Sequence, residues 1–422
     1  MKVFQILKLR NKMQLQFTID EVSNLLNISI ARLQDWIRSG RLIPQSGQTI
    51  MDYTFSRSQL ESYEPIRRVF ETKWDEQMCV TPKRNYSSVE LFAGAGGLAI
   101  GFEKAGINNV LLNEIDKHAC ATLRYNRPKW NVVEDAIENV DFSQYANKVD
   151  VVTGGFPCQA FSYAGKKRGF EDTRGTLFYE FARCVKEVNP KIFVAENVKG
   201  LLSHDGGKTL ETIIMTFEEL GYKVVTPKVL QAMYYCVPQK RERLIVVGIR
   251  NDYADRIVDF SYPEPYNRVL TVSDAFNKGE LYDTDVPKSN SIKYSKKKED
   301  VMKLVPEGGF WRDLPIDIQK EYMGGCFYLG GGKTGLARRL SMKAPSLTIV
   351  CAPAMKQTER CHPIETRPLT IRESARIQTF PDDWTFKCSD VQAYKQIGNA
   401  VPVNLAYAVA RRVVDFLNKI EE

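Results

Sequence analysis

The alternation of strands and helices along this chain constrains its fold more than any other feature of the sequence. Stretches with helical periodicity, at Gly97–Ala105, Thr176–Val188 and Thr209–Leu220, separate several apolar runs. Six runs rich in Val, Ile and Leu are typical of buried strands: Val89–Phe92, Val110–Leu112, Val149–Thr153, Ile192–Ala195, Val224–Val225 and Leu244–Ile249. The pattern predicts an α/β domain over 87–250, with a mainly parallel sheet and helices on both faces.

The first 64 residues are predicted to form a small helical unit. Thr18 and Glu21 have the spacing of a capping box, and Ser29 caps a second helix that ends at Gly40. With a short strand at Tyr53–Phe55, this arrangement resembles the helix-turn-helix units of the MerR and excisionase type. The resemblance implies DNA binding through three arginines on or just beyond the second helix: Arg32, Arg38 and Arg41. The alternative is a helical cap that only packs on the rest.

The segments around the α/β domain differ in composition. Residues 65–86 are polar and charged, which predicts a linker. Residues 251–365 contain many Pro, Gly and Lys residues, including Lys296–Lys298, and predict a separate loop-rich unit. Residues 366–422 are helical again and are expected to complete the catalytic domain.

Charge and composition exclude several classes of protein. The formal net charge of +8 suits a nucleic-acid partner, although a merely basic surface would also have it. Nine cysteines without C-x-x-C spacing, and three histidines, argue against a disulfide framework, a metal site and a Ser-His-Asp hydrolase. No apolar stretch has membrane-spanning length, so we expect a cytoplasmic protein without membrane contact.

A glycine-rich turn after the first strand predicts a nucleoside-type ligand. Glu90–Gly97 ends that strand and opens a helix. Glu114 ends the next strand, where an acid would hold ribose hydroxyls, and Asp135 follows a short run, where it would accept from an adenine amino group. A triphosphate site is excluded, because Gly332-Lys333-Thr334 has Phe327 where a phosphate loop needs glycine.

Three reactive groups are predicted to converge at the carboxyl edge of the sheet. Cys158 follows a strand that ends in glycines, and Glu196 ends the next strand. Arg241 and Arg243 come directly before another. A cysteine nucleophile reacts as the thiolate, so its site must lower the pKa of the thiol or take up its proton. A single cysteine is more often buried and inert, but the ordered set favours Cys158 as a nucleophile.

Six motifs resemble, in order, those of the cytosine-C5 DNA methyltransferases, over about Ser87 to Phe416. They are Phe92–Gly97, Pro157–Gln159, Glu196–Val198, Gln239–Arg243, Arg372–Gln378 followed by Phe380-Pro381, and Gln396–Pro402. The resemblance implies a Rossmann-like methyltransferase domain that depends on S-adenosyl-L-methionine, with 251–365 as the target recognition domain. One block departs from the family: it reads Glu134-Asp135-Ala136 where Gly-Asp is more usual, but the carboxylate is kept.

The resemblance also implies roles for individual residues. Cys158 would attack C6 of a flipped-out cytosine, Glu196 would act as general acid at N3, and Arg241 would hold O2 with support from Arg243. Gln159 and Ser162 would belong to the loop that closes over the base, and Ser162 would contact DNA. The cofactor would be contacted by Phe92, Ala93, Gly94, Gly96, Gly97, Glu114, Ile115, Asp135, Ala136, Pro157, Leu177, Asn399 and Val401.

The expected activity is methylation of a specific duplex DNA sequence, as the modification enzyme of a restriction-modification system. A cognate endonuclease would act on the same site without a stable complex. We expect a monomer on the methylation site, with a dimer contact open only to the N-terminal unit. Two alternatives remain: an RNA methyltransferase of the same fold, and a repressor function of the N-terminal unit. In the repressor reading, deletion of residues 1–80 spares methylation.

Overall fold

A computed structural model describes residues 14–157, 176–331 and 333–421. Over these ranges no helix combines the length and the apolar character needed to cross a membrane. The chain begins with a compact unit, residues 14–64, called here the N-terminal unit. Its first elements are β1 (Gln16–Thr18), α1 (Ile19–Leu26), α2 (Ile30–Arg38), β2 (Thr54–Ser56) and α3 (Arg57–Leu60).

The helix ends of the N-terminal unit are those that the sequence predicts. Thr18 and Glu21 form the reciprocal capping box at the start of α1, and Ser29 accepts a hydrogen bond from the amide of Arg32 at the start of α2. Strands β1 and β2 pair antiparallel. Most of α1 is buried, whereas Leu33 is the one buried residue of α2. The second helix therefore lies on the surface of the molecule.

The segment 65–86, predicted as a linker, is largely folded. It contains most of α4 (Glu64–Phe70) and all of α5 (Trp74–Met78). Ile66 and Val69 are buried in the core of the N-terminal unit, and Trp74 is buried in the central core. The other positions of the segment are mostly charged or polar, so its composition does not show the apolar face that these residues form. The segment joins the two bodies by packing against both.

Within the described residues, a seven-stranded sheet forms the centre of the molecule, in the order β5-β4-β3-β6-β7-β10-β8. Strands β5, β4, β3, β6 and β7 are parallel, and β10 is antiparallel to both of its neighbours. The predicted mainly parallel sheet is confirmed, and all six predicted strands belong to it. The strands are β3 (Tyr86–Leu91), β4 (Ile107–Glu114), β5 (Val132–Glu134), β6 (Val151–Gly154), β7 (Ile192–Val198), β8 (Tyr222–Gln231) and β10 (Glu242–Arg250).

Helices cover both faces of the sheet. Along β7, Ile192 and Val194 enter one apolar cluster while Phe193 and Ala195 enter another, as the alternation of side chains along a strand requires. Both clusters are fully buried, so the strands are apolar on both faces, as expected of a covered parallel sheet. The covering helices are α6 (Gly97–Lys104), α7 (Lys117–Asn126), α8 (Leu177–Val188) and α9 (Lys208–Glu219).

The loop-rich segment 251–365 contributes to more than two apolar cores. Its first part packs on the sheet, since Phe260 and Leu270 belong to the central cluster. Ala275, Leu340 and Ile349 belong to a cluster that they share with the C-terminal helices. A separate core of Met302, Trp311 and other apolar residues holds much of the part between Tyr294 and Cys361. The independent unit therefore begins later than the predicted boundary at 251. The regular elements after β8 and up to 365 are β9 (Gln239–Lys240), α10 (Val272–Phe276), α11 (Lys296–Lys303), α12 (Ile316–Met323) and β11 (Ser346–Leu347).

The C-terminal helices return to the sheet. They are α13 (Ile371–Ile377), α14 (Asp390–Asn399) and α15 (Val403–Ile420). Helix α15 packs on α6 so closely that a methyl group on Gly101 would approach Cβ of Ala406 to 2.4 Å. Several residues of α15, including Leu405 and Val409, belong to the central cluster.

Candidate active site

Packing and a hydrogen bond hold the backbone after β6, which leads to the predicted nucleophile. β6 ends at Gly154, and Phe156 is buried with its ring 5.4 Å from that of Phe178. The carbonyl of Phe156 accepts a hydrogen bond from Nδ2 of Asn197 at 2.9 Å, and Pro157, a predicted cofactor residue, follows at the exposed edge of the sheet. Three predicted residues lie outside the described ones: Cys158, Gln159 and Ser162.

Glu196, the predicted general acid, is buried near the end of β7, beside β6. Nε of Arg243 lies 2.5 Å from its Oε1. Its Oε2 is so near Gly155 that a methyl group there would approach it to 2.6 Å. Burial raises the pKa of Glu196, and this effect exceeds the lowering by Arg243 and Arg241. The carboxyl is thus held against the backbone that leads to Cys158, in surroundings that favour its protonated form.

The two predicted arginines have different partners. Arg241 is buried, and its Nη1 and Nη2 donate to the carbonyls of Ile349 at 3.2 Å and Gly398 at 2.9 Å. Burial, assisted by Arg243, lowers the pKa of Arg241 to about 9. Among the described residues its Nε has no hydrogen-bond partner. Arg243 therefore contacts the acid, while Arg241 joins the loop-rich segment to the end of α14.

Gln239 and Gln378 form a buried polar link that the sequence analysis did not assign. Nε2 of Gln239 donates to Oε1 of Gln378 at 2.8 Å, and Oε1 of Gln239 accepts from the amide of Ile349 at 2.9 Å. Nε2 of Gln378 donates to the carbonyls of Ile397 and Ala400. Both glutamines lie inside motifs quoted above, and this position was the sequence signal that could have identified them. Their bonds hold β9, the loop-rich segment and the last motif together.

The glycine turn after β3 has the backbone expected of a close ligand approach. Phe92, Gly94 and Gly96 have φ of 56°, 54° and 86°, in the left-handed region. Gly97 opens α6, and a methyl group on it would approach the carbonyl oxygen of Val401 to 2.2 Å. The last motif therefore packs directly beside the first, and only glycine fits at position 97.

Two carboxylates stand at the ends of the neighbouring strands. Glu114 at the end of β4 is half-buried, and its Oε2 accepts from the amide of Gly94 at 2.7 Å. Asp135 after β5 is exposed, and its Oδ1 accepts from the amide of Ala136 at 2.7 Å. Ile115 is 69% exposed beside Glu114. Both acids thus lie at the same sheet edge as the glycine turn.

The remaining predicted cofactor residues surround this edge. Leu177, the first residue of α8, and Phe92 are half-buried against the same apolar cluster. Asn399 is exposed at the end of α14, where its Oδ1 accepts from the thiol of Cys351 at 3.0 Å. Ala93 is buried within the turn. The set combines apolar walls, two acids and a tight glycine turn, which fits a nucleoside-containing cofactor.

Glu90 is a residue of this region that the sequence analysis did not single out. It lies on β3, two residues before Phe92, and is fully buried. Burial raises its pKa well above the ordinary value, with the amide of Ala99 opposing this effect and Glu114 adding to it. A buried carboxyl with a raised pKa therefore underlies the glycine turn. The signal was an acidic residue inside an otherwise apolar strand.

Charged residues of the loop-rich segment and of the N-terminal unit differ in their exposure. In the run Thr358–Pro363, the side chains of Glu359, Arg360 and His362 are buried, and Nε of Arg360 donates to the carbonyl of Thr348 at 3.0 Å. This run therefore holds the loop-rich segment together. The three arginines predicted to contact DNA are exposed: Arg32, Arg38 and Arg41.

Comparisons with known proteins agree with this arrangement. The family model described as C-5 cytosine-specific DNA methylase matches residues 86–415. The type II methyltransferase M.Eco47II of Escherichia coli is 58% identical over 98% of this chain and 99% of its own. The type II methyltransferase M.Sau96I of Staphylococcus aureus is 44% identical over 97% of this chain and 93% of its own. Matches of this extent include most of the N-terminal unit.

A solved structure shows the same fold. The crystal structure of a prophage-encoded protein of E. coli superposes with a TM-score of 0.54 at 23% identity, covering 79% of this chain and 100% of the other. The family match spans the sheet, the glycine turn, Glu196, both arginines and the last motif. The chain belongs to the C-5 cytosine-specific DNA methylase family and is a DNA cytosine-5 methyltransferase.

Proposed function

We propose that this protein methylates C5 of a flipped-out cytosine in a specific duplex DNA sequence, with S-adenosyl-L-methionine as methyl donor. The observation that carries the proposal is the buried Glu196–Arg243 pair, held against the strand end that leads to Cys158. An acid, a guanidinium and a thiol at one edge match the needs of a pyrimidine ring that must be activated before it is methylated.

In the proposed mechanism, the thiolate of Cys158 adds to C6 of the cytosine. The ring electrons move toward N3, where Glu196 donates its proton, and C5 becomes nucleophilic as part of an enamine. After C5 is methylated, loss of the C5 proton to a base and return of the electrons expel Cys158, while Glu196 regains its proton from N3. None of these atoms is accessible in a stacked base pair, so the target base must leave the helix.

The contacts of the two arginines change their proposed roles. The sequence assigned O2 of the base to Arg241, but both of its terminal nitrogens are bound to backbone carbonyls. Arg243 contacts Glu196 and is the better candidate to hold the base and balance the charge on it. We assign Arg241 to positioning: it fixes the loop-rich segment and the last motif relative to β10.

The cofactor would be held at the glycine turn. Glu114 would accept from the ribose hydroxyls and Asp135 from the adenine amino group, with Phe92 and Leu177 as apolar walls. When bound, S-adenosyl-L-methionine supplies an electrophilic methyl group on a sulfonium sulfur. Gly97 keeps Val401 and Asn399 beside this site.

An assay of substrate class tests the proposed function. The protein is incubated with S-adenosyl-L-methionine carrying a labelled methyl group, and with either duplex DNA or tRNA. We expect label in DNA at cytosine C5, and sequencing sensitive to 5-methylcytosine then gives the recognised sequence. Label in tRNA alone would overturn the proposal in favour of an RNA methyltransferase of the same fold.

The relatives favour a modification role. Both relatives described above are type II methyltransferases, so we place this enzyme in a restriction-modification system, as a monomer in the cytoplasm that protects the site cut by a cognate endonuclease. No stable complex between the two enzymes is needed, because each recognises the DNA independently. Genomic DNA from cells that express the protein should resist that endonuclease, and DNA from cells that lack it should not.

Separate DNA contacts are proposed for the loop-rich segment and for the N-terminal unit. The loop-rich segment is the target recognition domain, because its own core and its attachment through Arg241 hold it beside the catalytic edge. The exposed arginines of α2 support DNA binding by the N-terminal unit. The N-terminal unit could also repress the protein's own gene as a dimer. A promoter-binding assay tests this second role.

A further inference from the structure

The N-terminal unit is fixed to the catalytic body at the edge where the target base must enter. We infer that the exposed face of α2 contacts the same DNA duplex that is methylated, on the flank of the target sequence. This inference rests on the proposed methylation of duplex DNA. It assigns the unit to substrate binding and not to a separate operator.

The attachment of the unit is made by specific buried contacts. The hydroxyl of Tyr234 donates to the carbonyl of Leu25 at 3.0 Å, and Nδ2 of Asn24 donates to the carbonyl of Lys343 at 2.8 Å. Met233 and Val269, which belong to the catalytic body and the loop-rich segment, are buried in the core of the unit. The unit and the rest of the molecule therefore bind DNA as one body.

A chain of polar contacts places the unit at the catalytic edge. Glu242, between the two motif arginines, pairs with Lys199 after β7 at 3.0 Å and accepts from Nε2 of Gln231 at 3.2 Å. Gln231 ends β8, and its Oε1 accepts from Nδ2 of Asn27 at 3.5 Å. Asn27 is the first residue of the turn between α1 and α2. The turn between the two helices thus lies at the same sheet edge as Glu196 and Arg243.

The distance from the reacting base suits a contact on the flank. β8 is three strands from β6 in the sheet order. With a strand spacing of about 4.8 Å, its end lies about 14 Å from the strand that leads to Cys158. One turn of B-DNA extends about 34 Å along its axis. A duplex whose base reaches Cys158 therefore passes the N-terminal unit within about one helical turn.

The charge of α2 suits the phosphate backbone. Helix α2 and the turn after it carry three exposed guanidinium groups, Arg32, Arg38 and Arg41, and one carboxylate, Asp35, which lies 3.6 Å from Arg38. Arg41 also lies over the ring of Trp36 at 3.8 Å. The exposed surface of α2 therefore has a net positive charge, which attracts the phosphates of the DNA backbone.

The other carboxylates of the unit have partners outside this face. Glu21 accepts from the amide of Thr18 at 2.8 Å, Asp52 from the amide of Thr49 at 2.6 Å, and Glu61 pairs with Arg57 at 2.8 Å. Asp20 lies 3.9 Å from Lys343. Their charge is therefore partly compensated, and the arginines of α2 set the potential of the exposed helix.

The test compares short and long duplexes centred on the sequence that the enzyme methylates. The full-length protein is titrated against fluorescent duplexes of about 14 and about 40 base pairs at several salt concentrations. We expect the long duplex to bind about tenfold more tightly than the short one. In the double variant Arg32→Ala, Arg38→Ala this advantage disappears, and the slope of log K against log salt becomes less steep by nearly two.

A matched control removes two exposed lysines from the opposite edge of the sheet. Lys148 precedes β6 and Lys223 lies at the start of β8, so neither faces the catalytic edge. The variant Lys148→Ala, Lys223→Ala lowers the net charge equally, and it should keep the preference for the long duplex. Equal loss in both variants would mean that total charge, and not α2, sets the affinity, and it would overturn the inference.

Two further outcomes separate this inference from the proposed function. If the wild-type protein methylates duplex DNA but binds both lengths equally, the flank contact is wrong and the proposed function stands. The flank contact is also wrong if the arginine variant loses affinity only for the upstream promoter, because the unit then binds a separate operator. The proposed function stands in that case too. If no methyl group reaches duplex DNA from the wild-type protein, the proposed function itself fails.

Discussion

At Glu196, burial and two arginines act on one carboxyl in opposite directions. Burial raises its pKa and is the larger effect, while Arg243 and Arg241 lower it. The result is an acid whose protonated form is favoured by burial and which still lies beside a cation that stabilises the charge formed when the proton leaves. A flipped cytosine that needs a proton at N3 would use both properties.

Replacement of Glu196 by glutamine should remove proton donation while keeping the shape of the site. We expect the single-turnover methylation rate of Glu196→Gln to fall by about 10²- to 10⁴-fold. Because the pKa of the acid is raised, the wild-type rate should fall as pH rises through that pKa, and the variant should lack this alkaline decrease. Exposed Glu218→Gln on α9 is the control. An unchanged pH profile in Glu196→Gln would mean that another group supplies the proton.

Cys158→Ser should abolish turnover and leave binding of cofactor and DNA intact, because serine is too weak a nucleophile to add to C6. Duplex DNA with 5-fluorocytosine at the target position provides a direct measurement, since fluorine at C5 cannot leave as a proton and the covalent adduct accumulates. The wild-type protein and the exposed-cysteine variant Cys79→Ser should form a denaturant-resistant complex. Such a complex with Cys158→Ser would show that the chemistry lies elsewhere.

From the sequence, Glu196 and the two arginines could be placed near one edge of the sheet. The contacts of each arginine could not be predicted. Glu196 could be placed because a residue at the end of a parallel strand lies at a known edge of the sheet. Arg241 lies between β9 and β10, outside both strands, where no side-chain periodicity applies. Its direction is fixed by the carbonyls of Ile349 and Gly398, which are more than 100 residues away in the chain. Such contacts depend on tertiary packing and leave no local signal.

At the scale of elements, strands were easier to predict than short helices that join two bodies. The apolar runs of the sheet are continuous, because both faces are buried. In α4 the apolar residues Ile66, Val69 and Phe70 have helical spacing, but charged residues separate them and the helix is only two turns long. The polar composition of residues 65–86 predicts a linker, whereas these three residues give α4 an apolar face that packs into the core of the N-terminal unit.

Gly155, the residue after β6, leaves room for the carboxylate of Glu196 because it has no side chain. In Gly155→Ala the new methyl group would lie 2.6 Å from Oε2 of Glu196, which Arg243 holds in place. The carboxylate must shift, so we expect kcat to fall at least tenfold, while the affinity for S-adenosyl-L-methionine, measured by calorimetry, stays the same. Gly200→Ala, whose methyl group would meet Val198 at an ordinary 3.9 Å, should retain activity. Equal kcat values in both variants would contradict the close packing inferred here.

At the scale of the whole molecule, removal of the N-terminal unit would break buried contacts with the catalytic body. α4 and α5 continue directly from the unit into the central core, and the unit buries Met233 and Val269 of the rest of the chain. In the repressor interpretation of the N-terminal unit, deletion of residues 1–80 spares methylation. With α5 removed, the central core would lose one of its large aromatic side chains and expose the surface beneath it.

Trp74 gives the sharpest test of this coupling. It is 7% exposed, and its ring lies 5.4 Å from that of Tyr266 and 6.4 Å from that of Tyr235. Trp74→Ala should lower the free energy of unfolding by about 3–5 kcal/mol, measured by urea denaturation, because the cavity lies in the core that supports the sheet. Tyr328→Ala, which removes an aromatic ring that is 78% exposed, should change it by less than about 0.5 kcal/mol. A protein lacking residues 1–80 that unfolds at the wild-type urea concentration would show instead that the catalytic body is stable without this helix.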